Sequence, residues 1–186
     1  MTEEDVEAAA PVPMSAARTT LSQIMTPLDV NLLGTVHGGV VMRLVDSVAG
    51  AAAGRHSGGP AVTVAMDEMV FLVPVRVGDL VHAHAQVNWA GRTSLEVGVR
   101  VTGERWDQAG PATHVASAYL VFVAVDEEGQ PRRVPGVVPE TEADRQRQAE
   151  AEIRRQHRLA RRDEIRRLRG GTAAGGSTAD VVGGGA

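Results

Sequence analysis

Residues 80–90, LVHAHAQVNWA, alternate strictly, with Val81, Ala83, Ala85, Val87 and Trp89 on one side and His82, His84, Gln86 and Asn88 on the other. A period of two predicts a strand with one buried face. Residues 94–104 repeat the pattern, with Leu95, Val97, Val99 and Val101 inward. The short Gly-containing link AGRT (90–93) predicts that these two strands form an antiparallel hairpin. AVTVAMDEMVFLV (61–73), ended by Pro74, predicts another strand. ATHVASAYLVFVAVD (112–126) is apolar on both faces, as a central strand should be, and TTLSQIMT (19–26) has weaker strand character.

Between the first strand and the rest, PLDVNLLGTVHGG (27–39) reads as a loop, punctuated by Pro27, Gly34, Gly38 and Gly39. A helix is predicted from about Gly38 to Gly54, because its length and alanine content favour helix over strand. Arg43, Asp46 and Ser47 are its only strongly polar interior residues, so it is expected to be buried nearly all round. One small sheet cannot cover such a helix unless it curves around it, and a second copy is expected to close what stays open. The order of elements therefore predicts an α+β fold and a homodimer.

Residues 126–140 read as turn and loop. From 140 to 169 the chain carries seven acids and ten arginines, with only a thin apolar stripe of Ile153, Leu159, Ile165 and Leu168. This predicts a charged, solvated helix, docked if at all through that stripe or on a partner subunit. Residues 1–14 are acidic and contain Ala and Pro, and residues 170–186 are Gly-rich, so both are expected to be disordered. The expected organisation is a disordered N-terminus (1–14), one folded domain (15–139), the charged helix (140–169) and a disordered tail (170–186).

Composition sharpens this reading. The chain is 43% hydrophobic but only 3% aromatic, so its core must be built mainly from Val, Leu and Ala. A formal net charge of −4 argues against a general nucleic-acid binder. The absence of cysteine excludes disulfides and thiolate metal sites and fits a reducing compartment. The N-terminal segment has no apolar h-region, and no stretch reaches about 18 apolar residues, so neither a secretory signal nor a membrane span is expected. These features point to the cytoplasm and to no membrane partner.

The stretch DVNLLGTVHGGVVMRLVDSVAGAAAGRH (29–56) resembles the hot-dog fold acyl-CoA thioesterases, in the acyl-CoA hydrolase group of the brain-type enzyme and its small bacterial relatives. The resemblance continues through FLVPVRVGD (71–79), RTSLEVGVRV (92–101) and SAYLVFVAVDEEGQPRRVPGVVPET (117–141), covering roughly residues 17–165. Its most specific part is N-x-x-G-x-x-H-G-G followed by x-D-x-x-x-G. It implies a long helix wrapped by an antiparallel sheet, sheets joined edge to edge in a homodimer, and trimers of dimers as a further assembly. It also implies an acyl-CoA substrate, with CoA as part of substrate and product and no separate cofactor.

Asp46 is the first candidate residue. One reading pairs it with Arg43, three residues earlier on neighbouring helix surface. The other, which the resemblance implies, makes it the general base or nucleophile of thioester hydrolysis, since burial makes a carboxylate a better base near neutral pH. Asn31 can be an Asx-turn residue. The resemblance places it in the active site, orienting water for Asp46 of the other subunit. Gly38 and Gly39 open the helix, so its first N–H groups and dipole suit a developing oxyanion, with Gly39 N–H as the leading donor. Tight helix–sheet packing is the alternative use of those glycines. His37 is either a structural loop residue or a group that orients Asn31 or polarises the carbonyl.

Arg92, Thr93 and Ser94 at the hairpin are candidate contacts for the CoA phosphates or pantetheine, although a turn arginine is often only solvated. Thr63 and Val64 are candidates for the pantetheine arm through backbone groups. Arg55, Arg132 and Arg133 are further phosphate candidates. His82 and His84 share a strand face, but nothing adjacent completes a metal site, so no metal is expected. With no G-x-S-x-G elbow, phosphate loop or cysteine, a serine or cysteine triad is not expected. The function expected is therefore acyl-CoA hydrolysis. The alternatives are a non-catalytic acyl-CoA-binding regulatory module on the same fold, and a hot-dog dehydratase using His37.

Overall fold

The computed structural model describes residues 10–108 and 110–169. The expectations of disorder for 1–9 and 170–186 lie outside the described residues.

Seven strands and two long helices appear in the order β1 (Val12–Pro13), β2 (Thr19–Ile24), α1 (Gly38–Ser57), β3 (Ala61–Phe71), β4 (Asp79–Ala90), β5 (Ser94–Arg105), β6 (Thr113–Ala124), β7 (Val137–Val138) and α2 (Glu142–Leu168). Five of the strands form one antiparallel sheet ordered β2-β4-β5-β6-β3. The expected hairpin is β4–β5, and the doubly apolar β6 lies inside the sheet. α1 packs on one face, burying Val41, Leu44, Val45, Val48, Ala49, Ala52 and Ala53. They meet the alternating Val81, Ala83, Ala85 and Val87 of β4 and Leu95, Val97, Val99 and Val101 of β5. This is the helix-in-sheet arrangement that the hot-dog resemblance implies. α1 ends at Gly58, whose φ of 69° lets its N–H turn back to the Gly54 carbonyl.

α1 is not buried all round within one chain. Met42, Arg43, Asp46, Ser47, Ala51 and Arg55 are exposed and form a stripe at helical spacing. Its polar residues, isolated in the sequence, fall together on this one face with Met42 and Ala51. β3 is also an edge strand with a free side.

Three further expectations change. Trp89 does not continue the inward face of β4. A register shift between Val87 and Trp89 turns it to the outer face, where the Arg155 guanidinium lies 4.9 Å from its ring, while Asn88 is buried. Residues 10–14 are ordered rather than disordered: β1 pairs in parallel with β7, Met14 is fully buried, and Ser15 N donates to Glu140 Oε2 at 2.9 Å.

Most of α2 is solvated, as expected, but its first part is clamped to the outer sheet face by charges rather than held by its apolar stripe. Ile153, Ile165 and Leu168 are exposed, whereas Arg154 donates to the buried Glu96 of β5 at 2.7 Å and sits 3.6 Å above the Tyr119 ring of β6. Arg158 pairs with Asp67 of β3.

A capping box starts α2, with the Thr141 hydroxyl accepting from Asp144 N and the Asp144 carboxylate accepting from Thr141 N. Asp144 also accepts from Gln86 at 2.8 Å and Arg18 at 3.0 Å. Burial alone pushes its carboxyl up, but the hydrogen bonds from Gln86 and Thr141 and the Arg18 charge outweigh that and hold it at about 2, below the ordinary 3.8. A depressed carboxylate contributes stability above its ordinary pKa and loses it as pH falls through the folded value. The N-terminal docking of α2 is therefore expected to hold above pH 3.8 and to fail toward about 2. In an acid titration followed by circular dichroism, Asp144→Asn should leave a chain less stable at neutral pH whose helix signal no longer responds in that window.

Candidate active site

Asp46 projects from the open stripe of α1. It has no ion pair with Arg43 among the described residues. Its partner is the Thr63 hydroxyl, which donates to Asp46 Oδ1 at 2.7 Å. Thr63 is the third residue of β3, facing α1 opposite Phe122 of β6. One carboxylate oxygen is thus held, while the group stays exposed on the side where β3 has no neighbour.

The loop before α1 is built around Asn31. Asn31 Oδ1 accepts from Leu33 N at 2.8 Å and Thr35 N at 3.3 Å, and Nδ2 donates to Thr35 Oγ1 at 2.9 Å. Its Asx-turn reading is therefore realised within the chain, and no contact joins it to Asp46 of the same chain. The turn places Leu32 and Leu33 almost wholly in solvent, with Leu28 beside them in the chain equally exposed. The base of the loop is fixed by Val36 N donating to Val75 O and His37 N donating to Asp29 O.

His37 caps α1. Its Nδ1 accepts from Gly39 N at 2.9 Å. The Gly39 N–H expected to serve an oxyanion is therefore occupied by the imidazole. Gly38 N–H, in contrast, donates to no loop or side-chain acceptor among the described residues. Gly38 also lies under Phe71, since a methyl group there would sit 3.5 Å from the ring. Beside it is an apolar cleft of about 350 Å³ lined by Gly38, Val41, Phe71, Val73 and Pro74.

The CoA candidates separate. Val64 is the extra residue of a bulge, since Thr63 pairs with Phe122 and Ala65 with Val121, so its backbone stands outside the regular ladder. Arg92 is exposed; its carbonyl accepts from Val134 N, and the Thr93 carbonyl accepts from Ala124 N. Ser94 opens β5 opposite Val123. Arg55 donates through Nη1 to Thr19 Oγ1 and Arg18 O, at 3.3 and 3.4 Å. Arg132 is engaged within its own chain. Its donors go to Ser57 O, Ser57 Oγ and Val125 O, closing the C-terminal end of α1. His82 and His84 hydrogen-bond Ser22 and Thr20 on the outer face, and no metal cluster occurs among the described residues.

Two groups that bear on the site escaped sequence reasoning. The Thr63 side chain, rather than its backbone, meets Asp46 from seventeen residues away. The cap by His37 was legible in principle, because a polar side chain before two glycines and an apolar run is an N-cap signal.

The thioesterase superfamily profile matches residues 33–105. An acyl-CoA thioester hydrolase of Bacillus subtilis, itself uncharacterised, is 41% identical over 116 residues, 62% of this chain and 67% of that protein. The acyl-CoA hydrolase of Staphylococcus aureus is 34% identical, with a TM-score of 0.78 covering 84% of this chain and 95% of that one. This chain belongs to the acyl-CoA hydrolases of the hot-dog thioesterase superfamily. Mouse cytosolic acyl coenzyme A thioester hydrolase is 34% identical over 138 residues, 74% of this hot-dog chain but only 36% of the mouse protein. The S. aureus hydrolase has been solved with butyryl-CoA and CoA. It has also been solved with an asparagine, an aspartate or a threonine replaced by alanine, these being fifteen and seventeen residues apart in turn. No helix among the described residues is long and apolar enough to cross a membrane.

Proposed function

We propose that this protein hydrolyses fatty acyl-CoA to the free acid and CoA, at a site completed by a second copy of the chain. The observation that carries the reading is the Asp46–Thr63 hydrogen bond of 2.7 Å, placed where both α1 and the sheet are open. Asn31, Asp46 and Thr63 are the same three residue types, at the same spacing of fifteen and seventeen, as those replaced in the S. aureus hydrolase.

The free edge of β3 supplies the second copy. Pairing two such edges about a two-fold axis near the middle of the strand sets Thr63 of one subunit opposite about residue 71 of the other. Phe71 lies over Gly38, so the start of one α1 and the Asn31 loop come beside the Asp46–Thr63 pair of the other. The exposed leucines of the loop and the open stripe of α1 are then covered. Asp46, open in one chain, becomes enclosed, as a general base near neutral pH requires.

Asp46 takes a proton from a water that Asn31 of the second copy orients. The hydroxide attacks the thioester carbonyl, and its oxyanion is met at the start of α1, where Gly38 N–H is the donor without a protein acceptor. Collapse breaks the C–S bond, and the proton passes to the thiolate of CoA. The acyl chain lies in the apolar cleft beside Phe71, and the CoA end runs past the Val64 bulge toward Arg92. The cytoplasm, where acyl-CoA is made and consumed, is the proposed setting.

Thiol release from acyl-CoAs of two to sixteen carbons tests this, with no background from the protein because it has no cysteine. Turnover is expected, and its dependence on length reports the depth of the cleft. CoA binding without release from any substrate would replace the enzyme by an acyl-CoA-binding module.

A further inference from the structure

The C-terminal turns of α2 extend beyond anything they touch in their own chain. α2 begins with Asp144 beside Gln86 of β4, passes over Glu96 of β5 and Tyr119 of β6 at Arg154, and reaches Asp67 of β3 at Arg158. It therefore crosses the outer face of the sheet strand by strand toward the free edge. Its advance along β4, from Gln86 to Trp89, also carries it toward the end of the sheet where β3 begins. Ten more helical residues follow Arg158, roughly 15 Å of helix, enough to pass about three strand spacings. From Ala160 onward every described residue is exposed, including Ile165 at 40% and Leu168 at 82%.

Beyond Asp67, the same face of β3 is also bare. Glu68 pairs with Tyr119, whose ring faces α2, and Val70 pairs with Ser117 two positions on, so by alternation Glu68 and Val70 lie on the outer face. Val70 is 41% exposed. The overhanging helix carries Arg161, Arg162, Arg166 and Arg167 against Asp163 and Glu164, a net positive surface that suits Glu68.

We propose that the last turns of α2, Leu159 to Leu168, dock on the outer sheet face of a second copy of this chain, crossing the β3 edge as a clasp between subunits. The inference rests on the edge pairing described under the proposed function. In that pairing the Val64 region of one subunit lies opposite Val70 of the other, so the overhanging end is directed onto Val70 of the partner subunit. Ile165 and Leu168 cover that valine, and the arginines meet Glu68 of the partner subunit. α2 thus ties the two sheets on the face away from the thioester, where it does not obstruct substrate.

The chain lacks cysteine, so the contact can be read with an engineered pair in the full-length protein. A Leu168→Cys/Val70→Cys chain, oxidised at low concentration, should run as a covalent dimer on non-reducing gels, while each single variant stays at background. In parallel, Ile165→Glu/Leu168→Glu should raise the dimer dissociation constant by about tenfold or more in sedimentation analysis. A dimer that neither cross-links above the single variants nor loosens with the glutamates overturns the clasp and leaves edge pairing standing. A chain that sediments as a monomer at all concentrations overturns the edge pairing, and the clasp with it.

Discussion

An Asp46→Ala chain is expected to fold, dimerise and bind CoA, while losing thioester hydrolysis by about 10²- to 10⁴-fold, the range that one positioned acid–base group contributes. The clean separation follows from where Asp46 sits. It is on the exposed stripe of α1, so its removal opens no cavity in the core. Alanine is the best helix former, so α1 itself does not suffer. The only bond lost within the chain is that from Thr63, whose hydroxyl lies on an open edge and can turn to water. A structural acid paired with Arg43 would behave differently, costing stability and sparing turnover. Full turnover by a folded Asp46→Ala dimer would end the proposed mechanism.

The same variant tests whether two chains make one site. Asn31 and Asp46 do not meet within a chain, so Asn31→Ala and Asp46→Ala homodimers should each be inactive. After subunit exchange, half the dimers are mixed, and each mixed dimer holds one intact site. About a quarter of wild-type activity should then return. No recovery on proven exchange would place both residues in one subunit's site.

How legible was this in the chain? The alternation of β4 and β5 announced two strands, their faces and their hairpin, because a period of two leaves little choice once one face is buried. Trp89 shows the limit. One bulged residue reverses every later side chain, and no hydropathy pattern marks where the ladder slips. Asp46 and Asn31 were legible only through a resemblance, since an acid in an apolar helix and an asparagine in a loop each have ordinary structural uses. Burial of α1 was overestimated for a related reason: Arg43, Asp46 and Ser47 read as isolated exceptions in an apolar run, whereas helical spacing gathers them on one face with Met42, Ala51 and Arg55. The docking of α2 was the least legible element. Its anchors join residues 58 and 91 positions apart, Arg154 with Glu96 and Arg158 with Asp67, and each half alone looks like a solvated charge. Residues 10–14 were missed because the partner of β1 is a two-residue strand more than a hundred positions away.

Those anchors carry the second large effect. Glu96→Ala is expected to destabilise the chain by about 3 kcal/mol, toward the lower end of the cost of breaking a buried ion pair from one side. Glu96 is 1% exposed, takes three contacts of 2.7 to 3.3 Å from Arg154, and accepts from Asn88 Nδ2 at 3.3 Å. Removing it leaves two donors facing a void: a guanidinium under the helix and the amide of a buried asparagine. The Arg154 side chain is 17% exposed and still lies over Tyr119, so it can recover part of its solvation, which keeps the cost from the upper end. A loss of that size is a large fraction of a total stability of about 5 to 15 kcal/mol. The companion change gives the argument its sign. Replacing both partners, Glu96→Leu with Arg154→Met, removes the unpaired charge as well as the pair, and such swaps are commonly neutral or stabilising. The double variant should therefore recover most of what Glu96→Ala loses. Urea unfolding read through the fluorescence of Trp89, which lies under Arg155 of the same helix, measures both. If Glu96→Ala shifts stability by less than about 1 kcal/mol, a surface-pair value, α2 is held by something other than its charges.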